Sequence, residues 1–159
     1  VLIKSNFVIQ ELVKEVFESM PIKAEEKNIR FSIKKGCEVP LTVFADKEKI
    51  RQVLINLIDN SIKYGKNDGN IMASMYKVDE RHILIEISDE GIGITEKHLP
   101  RIFERFYRME EGRSRYITGS GLGLAICKHI IEAHDQTIHV RSTEGVGTTV
   151  GFTLNTRRE

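Results

Sequence analysis

Apolar residues recur at helical spacing along Lys49–Gly65, KIRQVLINLIDNSIKYG, and the rest of the chain is organised around this stretch. At about 100° per residue, Ile50, Leu54, Ile55, Ile58, Ser61 and Ile62 spread over one broad side, and Val53 and Leu57 extend it. A helix so widely apolar belongs inside a core. Upstream, Phe7-Val8-Ile9 reads as a short strand. Glu11–Lys27 sets Leu12, Val13, Val16, Phe17 and Met20 at helical spacing, with Pro21 predicted to kink or split the helix. Ile29–Lys35 alternates as a half-buried strand, Gly36–Pro40 turns, and Leu41–Ala45 is a second strand. Asp46 then suits the N-cap of the central helix. Gly65-Lys66-Asn67-Asp68-Gly69 breaks that helix, and Asn70–Val78 and His82–Ser88 are strands around a turn at Asp79-Glu80-Arg81. Thr95 is predicted to cap a helix over Glu96–Phe106 with Leu99, Ile102, Phe103 and Phe106 apolar, and another helix opens at Gly119–Leu124 and runs to about His134. Gln136–Ser142 and Thr148–Leu154 are the final strands, and the charged tail Asn155–Glu159 is expected to fray. Strands and helices mix without strict βαβ alternation, which predicts an α/β, two-layer sandwich with helices on one face of a mixed sheet.

A narrow polar stripe interrupts the central helix. Asn56, Asn60 and Lys63 project within about 60° of one another, with Tyr64 at the edge and Asn67 just past the end. Polar groups on a buried helix carry a desolvation penalty unless paired. Two kinds of partner fit: neighbouring backbone, or an anionic, oxygen-rich ligand carrying a hard metal ion. An amide oxygen suits Mg²⁺ and a lysine suits a phosphate.

Glycine clusters punctuate the second half at Gly91/Gly93, Gly119/Gly121/Gly123 and Gly145/Gly147. Glycine lets backbone approach a ligand closely and take positive φ, or simply makes a tight turn. The middle cluster leads into a predicted helix N-terminus, where free N–H groups and the helix dipole favour an anion. Neither common nucleotide loop is present: Gly65-Lys66 is followed by Asn67 rather than Ser or Thr, and no strand directly precedes Gly119. Asp89 closes an apolar strand beside two glycines. It is either a strand-end cap or a fixed acceptor for an exocyclic amine such as adenine's. The polar, Arg-rich stretch Gly93–Gly119 is long for a plain connection and reads as a functional lid.

Composition narrows the choice of function. At 159 residues the chain is sized for one domain. Lys and Arg number 24 against 23 Asp and Glu, so no basic surplus marks a nucleic-acid binder. No apolar run approaches the roughly 18–20 residues of a membrane span, and no signal-peptide pattern is present. Cys37 and Cys127 are not in CxxC spacing, which disfavours zinc and makes a reduced cytosolic setting the default. The chain starts without Met and reads as a piece of a longer protein.

Taken together, the pieces resemble the ATP-binding catalytic domain of sensor histidine kinases, within the superfamily shared with gyrase, Hsp90 and MutL. The resemblance spans about Phe7 to Leu154. The N box is similar to Asn56–Tyr64 and the first glycine box to Asp89–Ile94. The F box resembles Ile102–Arg108, the second glycine box Gly119–Leu124 and the third Gly145–Thr148. The resemblance implies the Bergerat-type ATP-binding sandwich, ATP and Mg²⁺ as cofactors, and transfer of the γ-phosphoryl group to a histidine on a separate helical dimerisation domain absent from this chain. Asn56, Lys63 and Arg108 are then implied in catalysis. ATP binding is assigned to them together with Asn60, Tyr64, Asp89, Gly91, Gly93, Ile94, Arg105, Gly119, Ser120, Gly121, Leu122, Gly123, Leu124 and Thr148. Asn60 would hold the metal, Asp89 the adenine amine, and residues 93–118 would form the ATP lid. The parent would be a homodimer anchored in the bacterial membrane, with this domain cytoplasmic and a response regulator downstream.

Departures and alternatives accompany the resemblance. The family often has two glycines after the helix ending near His134, where Asp135 and Gln136 stand. Asp tolerates left-handed geometry, so the turn is expected to survive. His134-Asp135 imitates a phosphoacceptor pattern but ends a helix inside the domain. An ATP-hydrolysing clamp of the gyrase or Hsp90 type would carry glutamate at Asn56 to activate water, and asparagine has no basic oxygen for that. A non-catalytic ATP sensor is the third reading. Retention of Asn60, Lys63, Asp89 and every glycine argues against it.

Overall fold

In the computed structural model, which describes residues 1–104 and 123–158, the chain begins β1 (Ser5–Val8), α1 (Ile9–Glu18), α2 (Pro21–Lys27), β2 (Arg30–Ile33) and β3 (Thr42–Ala45). It continues α3 (Lys47–Tyr64), β4 (Asn70–Lys77), β5 (His82–Asp89), α4 (Gly123–Ala133), β6 (Ile138–Thr143) and β7 (Gly147–Thr156). The proline splits the first helical stretch as predicted: α1 closes before Ser19 and Pro21 occupies the first turn of α2, where its missing N–H has no intrahelical partner to lose. Ile9, grouped by sequence with the first strand, instead opens α1.

The strands form one mixed sheet in the order β1-β3-β7-β5-β4-β2, with β6 also on β7. Only β2 and β4 run parallel among these pairs. β6 and β3 share one edge of β7, β6 pairing as far as Phe152 and β3 with Asn155 and Thr156. Register sorts the side chains into faces. Ala73, Ile87 and Val150 lie abreast, as do Met75, Ile85 and Phe152, and this face joins Leu12, Leu54, Ile58 and Ile131 of the helices in one core. On the other face Glu86 pairs with Arg141 at 2.5 Å. Gly151 sits beside this pair, where a Cβ would press on the His139 ring.

Asp46 caps α3 as predicted, its Oδ1 accepting the Lys49 N–H at 3.2 Å. The α4 turn also survives without glycine. Asp135 takes φ 58°, and the Gln136 N–H reaches the Ile131 carbonyl at 3.1 Å, the closure a glycine usually makes.

Two expectations need correction. Thr95 does not cap a helix over Glu96–Phe106. Up to Glu104 the segment holds only a 3₁₀ turn at Leu99–Arg101, because Pro100 lacks the N–H and crowds the preceding turn; Arg105 and Phe106 lie outside the described residues. Nor does the tail fray where it is described. Asn155 and Thr156 pair with β3, the Arg157 N–H bonds the Thr42 carbonyl at 2.9 Å, and Asn6 exchanges two hydrogen bonds with the Arg158 backbone. Pairing with β3 and the Asn6 side chain of β1 outweigh the tail's charge.

Candidate functional site

The end of β5, the last turns of α3 and the β6–β7 hairpin converge on Asp89. Its Oδ1 accepts the backbone N–H of Gly91 at 2.9 Å and of Thr148 at 3.3 Å, and its carboxylate also bonds the Ser61 side chain. Burial pushes the carboxyl pKa up, and these three donors only partly oppose it. The result is a carboxylate fixed in direction, partly buried, and short of a full complement of donors.

Glycine makes this convergence possible. A Cβ on Gly91 would enter the Tyr64 carbonyl, and the next residue, Ile92, donates its N–H to that same oxygen at 3.1 Å. Gly93, at φ 74°, lies against the Thr143 carbonyl, and Gly145 donates to the Ile92 carbonyl at 2.7 Å. Gly147 lies against the Asp89 carbonyl. At these positions protein backbone comes close to protein backbone, pinning the 89–93 segment between α3 and the hairpin. Ser142 completes the knot: its Oγ accepts the Ile94 N–H at 2.7 Å, donates to the Gly147 carbonyl at 2.9 Å and lies 2.8 Å from the Thr148 hydroxyl.

The α3 stripe borders the same place. Ile50, Val53, Leu54, Leu57, Ile58, Ser61 and Ile62 are buried, whereas Asn56, Asn60, Lys63 and Tyr64 remain partly exposed. Asn56 Nδ2 lies 3.5 Å from the Gly123 carbonyl, joining the stripe to α4. Lys63 pairs with Asp59 at 3.1 Å, so its charge is matched within the helix. Leu124 packs against the core. Cys127, beneath Asn56, is buried, and burial pushes its thiol up to about 12; it stays a neutral packing group. Arg105, Arg108, Gly119, Ser120, Gly121 and Leu122, with most of the expected lid, lie outside the described residues.

Ser61 and Ser142 escape a pattern-based reading. Ser61 falls on the apolar arc, where a small hydroxyl passes for a space-filling residue. Its adjacency to the Asn60 stripe position is the one available signal. Ser142 gives none, because its partners Ile94, Gly147 and Thr148 meet it only through hairpin geometry.

The arrangement offers a directional acceptor held beside Ser61 and amide and ammonium groups along the same helix. Among the described residues no cluster of three or more His, Cys, Asp or Glu is placed to hold a metal. A metal here would depend on amide and ligand oxygens, which suits Mg²⁺ carried on phosphates.

A family model described as histidine kinase-, DNA gyrase B-, and HSP90-like ATPase matches residues 45–158. The chain is 41% identical over 136 residues to the sensor histidine kinase WalK of Bacillus subtilis (strain 168), covering 85% of this chain and 22% of WalK. It spans about a fifth to two fifths of the length of the curated relatives it matches. Full-length ShkA in complex with AMPPNP superposes at TM-score 0.86 with 26% identity, covering 100% of this chain and 33% of that one. The histidine kinase ThkA in complex with the response regulator TrrA superposes at TM-score 0.78 with 28% identity, covering 97% of this chain and 42% of that one.

Proposed function

The chain belongs to the histidine kinase-, DNA gyrase B- and HSP90-like ATPase family, and on that premise we propose that it is the ATP-binding, phosphoryl-donating domain of a sensor histidine kinase. It binds Mg·ATP and passes the γ-phosphoryl group to a histidine on a helical dimerisation domain of the same kinase. The observation that carries this reading is Asn56, set between the α3 stripe and the Gly123 carbonyl of α4. An amide there can orient groups but cannot take a proton from water, so the site favours transfer over hydrolysis. The likeness to named sensor histidine kinases supports the same choice over the clamp ATPases.

The roles follow from chemistry. Asp89 accepts from the adenine amine, and Tyr64 lies along the adenine or ribose. Asn60 offers its amide oxygen to Mg²⁺, which when bound neutralises charge on the phosphate oxygens. Lys63 exchanges its partner Asp59 for a phosphate, while Arg105, Arg108 and the 119–124 backbone face the phosphates and residues 93–118 act as the lid. Transfer of this kind is mostly positioning and charge stabilisation, and the chain contributes those without the nucleophile. The downstream partner is a response regulator, as in the ThkA complex. The parent is a homodimer anchored in the bacterial membrane with this domain on the cytoplasmic side; among the described residues no helix is long and apolar enough to cross it.

Calorimetric titration with ATP, with and without Mg²⁺, tests the binding half of this reading. Affinity should depend on Mg²⁺ in the wild type, and Asn60→Ala should lose most of that dependence while unfolding at the same temperature. Equal wild-type affinity with and without the ion contradicts the role of Asn60.

A further inference from the structure

The C-terminus of α3 is not finished in the usual way. Gly65 follows it at φ −74° and ψ 160°, an extended conformation rather than the left-handed one that closes a helix on itself. The last carbonyls therefore need partners from elsewhere. One of them, on Tyr64, accepts the Ile92 N–H. The others are met by a single side chain from a different helix. Lys27 Nζ, at the end of α2, donates to the carbonyls of Ile62 at 2.7 Å, Lys63 at 2.9 Å and Gly65 at 3.1 Å. An ammonium has three donors, and here all three are used. It also places a positive charge at the negative end of the α3 dipole.

The surroundings hold Lys27 in that position. The Asp68 N–H donates to the Lys27 carbonyl at 2.8 Å, and Asn28, left-handed at φ 54°, donates its side-chain amide to Asp68 at 2.7 Å. α2 is thereby laced to the loop after α3 at the lysine and at the residue that follows it. Burial works against the charged form of Lys27, so the three carbonyls are what make an ammonium suitable there.

We propose that Lys27 is a positioning residue for the nucleotide site: it fixes the last turn of α3 and, through the Tyr64 carbonyl, the Gly91–Ile92 backbone that aims Asp89. The inference rests on the functional reading above, since Lys63, Tyr64 and Asp89 are the groups it positions. Its own geometry is independent of that reading. Without the ammonium, the carbonyls of Ile62 and Lys63 lose their partner, the turn loosens, and the Tyr64–Ile92 bond loosens with it.

The experiment compares wild type, Lys27→Met and Lys27→Arg by amide exchange at Ile92 and by calorimetric affinity for ADP. In Lys27→Met the Ile92 amide should exchange about tenfold faster, with the β5–β7 amides unchanged. ADP affinity of the folded protein should fall about tenfold, as befits loss of hydrogen bonds from a charged donor. Lys27→Arg, which keeps the charge and several donors, should recover part of both. A purely structural lysine would lower the unfolding temperature and leave the affinity of the folded protein alone. Ile92 exchange and ADP affinity both within twofold of wild type would overturn the proposal. If Lys27→Met does not fold, Lys27→Gln, with two donors and no charge, is read by the same criteria. A wild-type chain that binds no ADP defeats the functional reading instead, and the Ile92 comparison still decides whether Lys27 holds the turn.

Discussion

His134 Nε2 accepts the backbone N–H of Asp46 at 3.0 Å, joining the end of α4 to the start of α3. The other ring nitrogen lies 2.8 Å from the Ile130 carbonyl and donates to it, and the side chain is 2% exposed. Both nitrogens are occupied within the fold, so the His134-Asp135 pair is a structural joint and not an acceptor of phosphate. His134→Ala leaves the buried Asp46 N–H unpaired and takes one of two donors from the Ile130 carbonyl, and should lower stability by about 1–3 kcal/mol. Thermal unfolding should register this as about 2–4 °C per kcal/mol for a chain of this size. An unchanged midpoint would contradict the joint.

Asp46 links stability to acid pH. Burial works to raise its pKa, but the N–H groups of Ile3 and Lys49, together with nearby positive charge, outweigh this and hold it below the usual carboxylate range. A carboxylate with a depressed folded pKa stabilises above its unfolded value, and that contribution is lost as pH falls through the folded one. Acid denaturation below about pH 4 should therefore be shallower in Asp46→Asn than in wild type. Parallel curves would count against the assignment.

Asp89 should titrate the other way. Its raised pKa means that the folded, ligand-free domain holds the proton more tightly than the unfolded chain does. That contribution is present below the unfolded pKa and lost as pH rises through the folded one. If Asp89 accepts from the adenine amine as proposed, binding needs the ionised carboxylate, so ATP affinity should fall as pH drops into this window, and Asp89→Asn should show less of that fall. The same carboxylate should favour ATP over GTP by about 1–3 kcal/mol, because guanine presents an oxygen where adenine has an amine. Equal affinity for the two removes Asp89 from the base site.

The glycines divide into two kinds that substitution can separate. Gly91→Ala drives a methyl into the Tyr64 carbonyl, and should cost about 1–3 kcal/mol of stability along with ATP affinity. Gly145, at φ 79°, has open space where a Cβ would go. Gly145→Ala should carry only the backbone strain, about 1 kcal/mol, and leave affinity unchanged. Matching losses of affinity in the two variants would contradict the close approach at Gly91.

Much of this was legible in the sequence because it is written in periodicity and local caps. The α3 face, the Asp46 cap, the Pro21 split and the alternation of Ile83, Ile85 and Ile87 are all short-range signals. Boundaries such as Ile9 were less legible, since a β-branched residue suits either element. The helix predicted after Thr95 does not form up to Glu104 because its apolar spacing runs across Pro100. The site's supports were the least legible part. Ser61 acts on a residue 28 positions away, Ser142 on residues 5 to 48 away and Lys27 on residues 35 to 38 away, through contacts that only the folded backbone creates.

Phosphoryl transfer is the central claim, and radiolabelled ATP tests it directly. Incubated alone, the chain should bind ATP, carry no label and release phosphate only slowly. With a helical dimerisation domain added in cis or in trans, label should appear on that domain as acid-labile phosphohistidine. Label on this chain by itself, or brisk phosphate release without any partner, would contradict the account in favour of an autonomous ATPase.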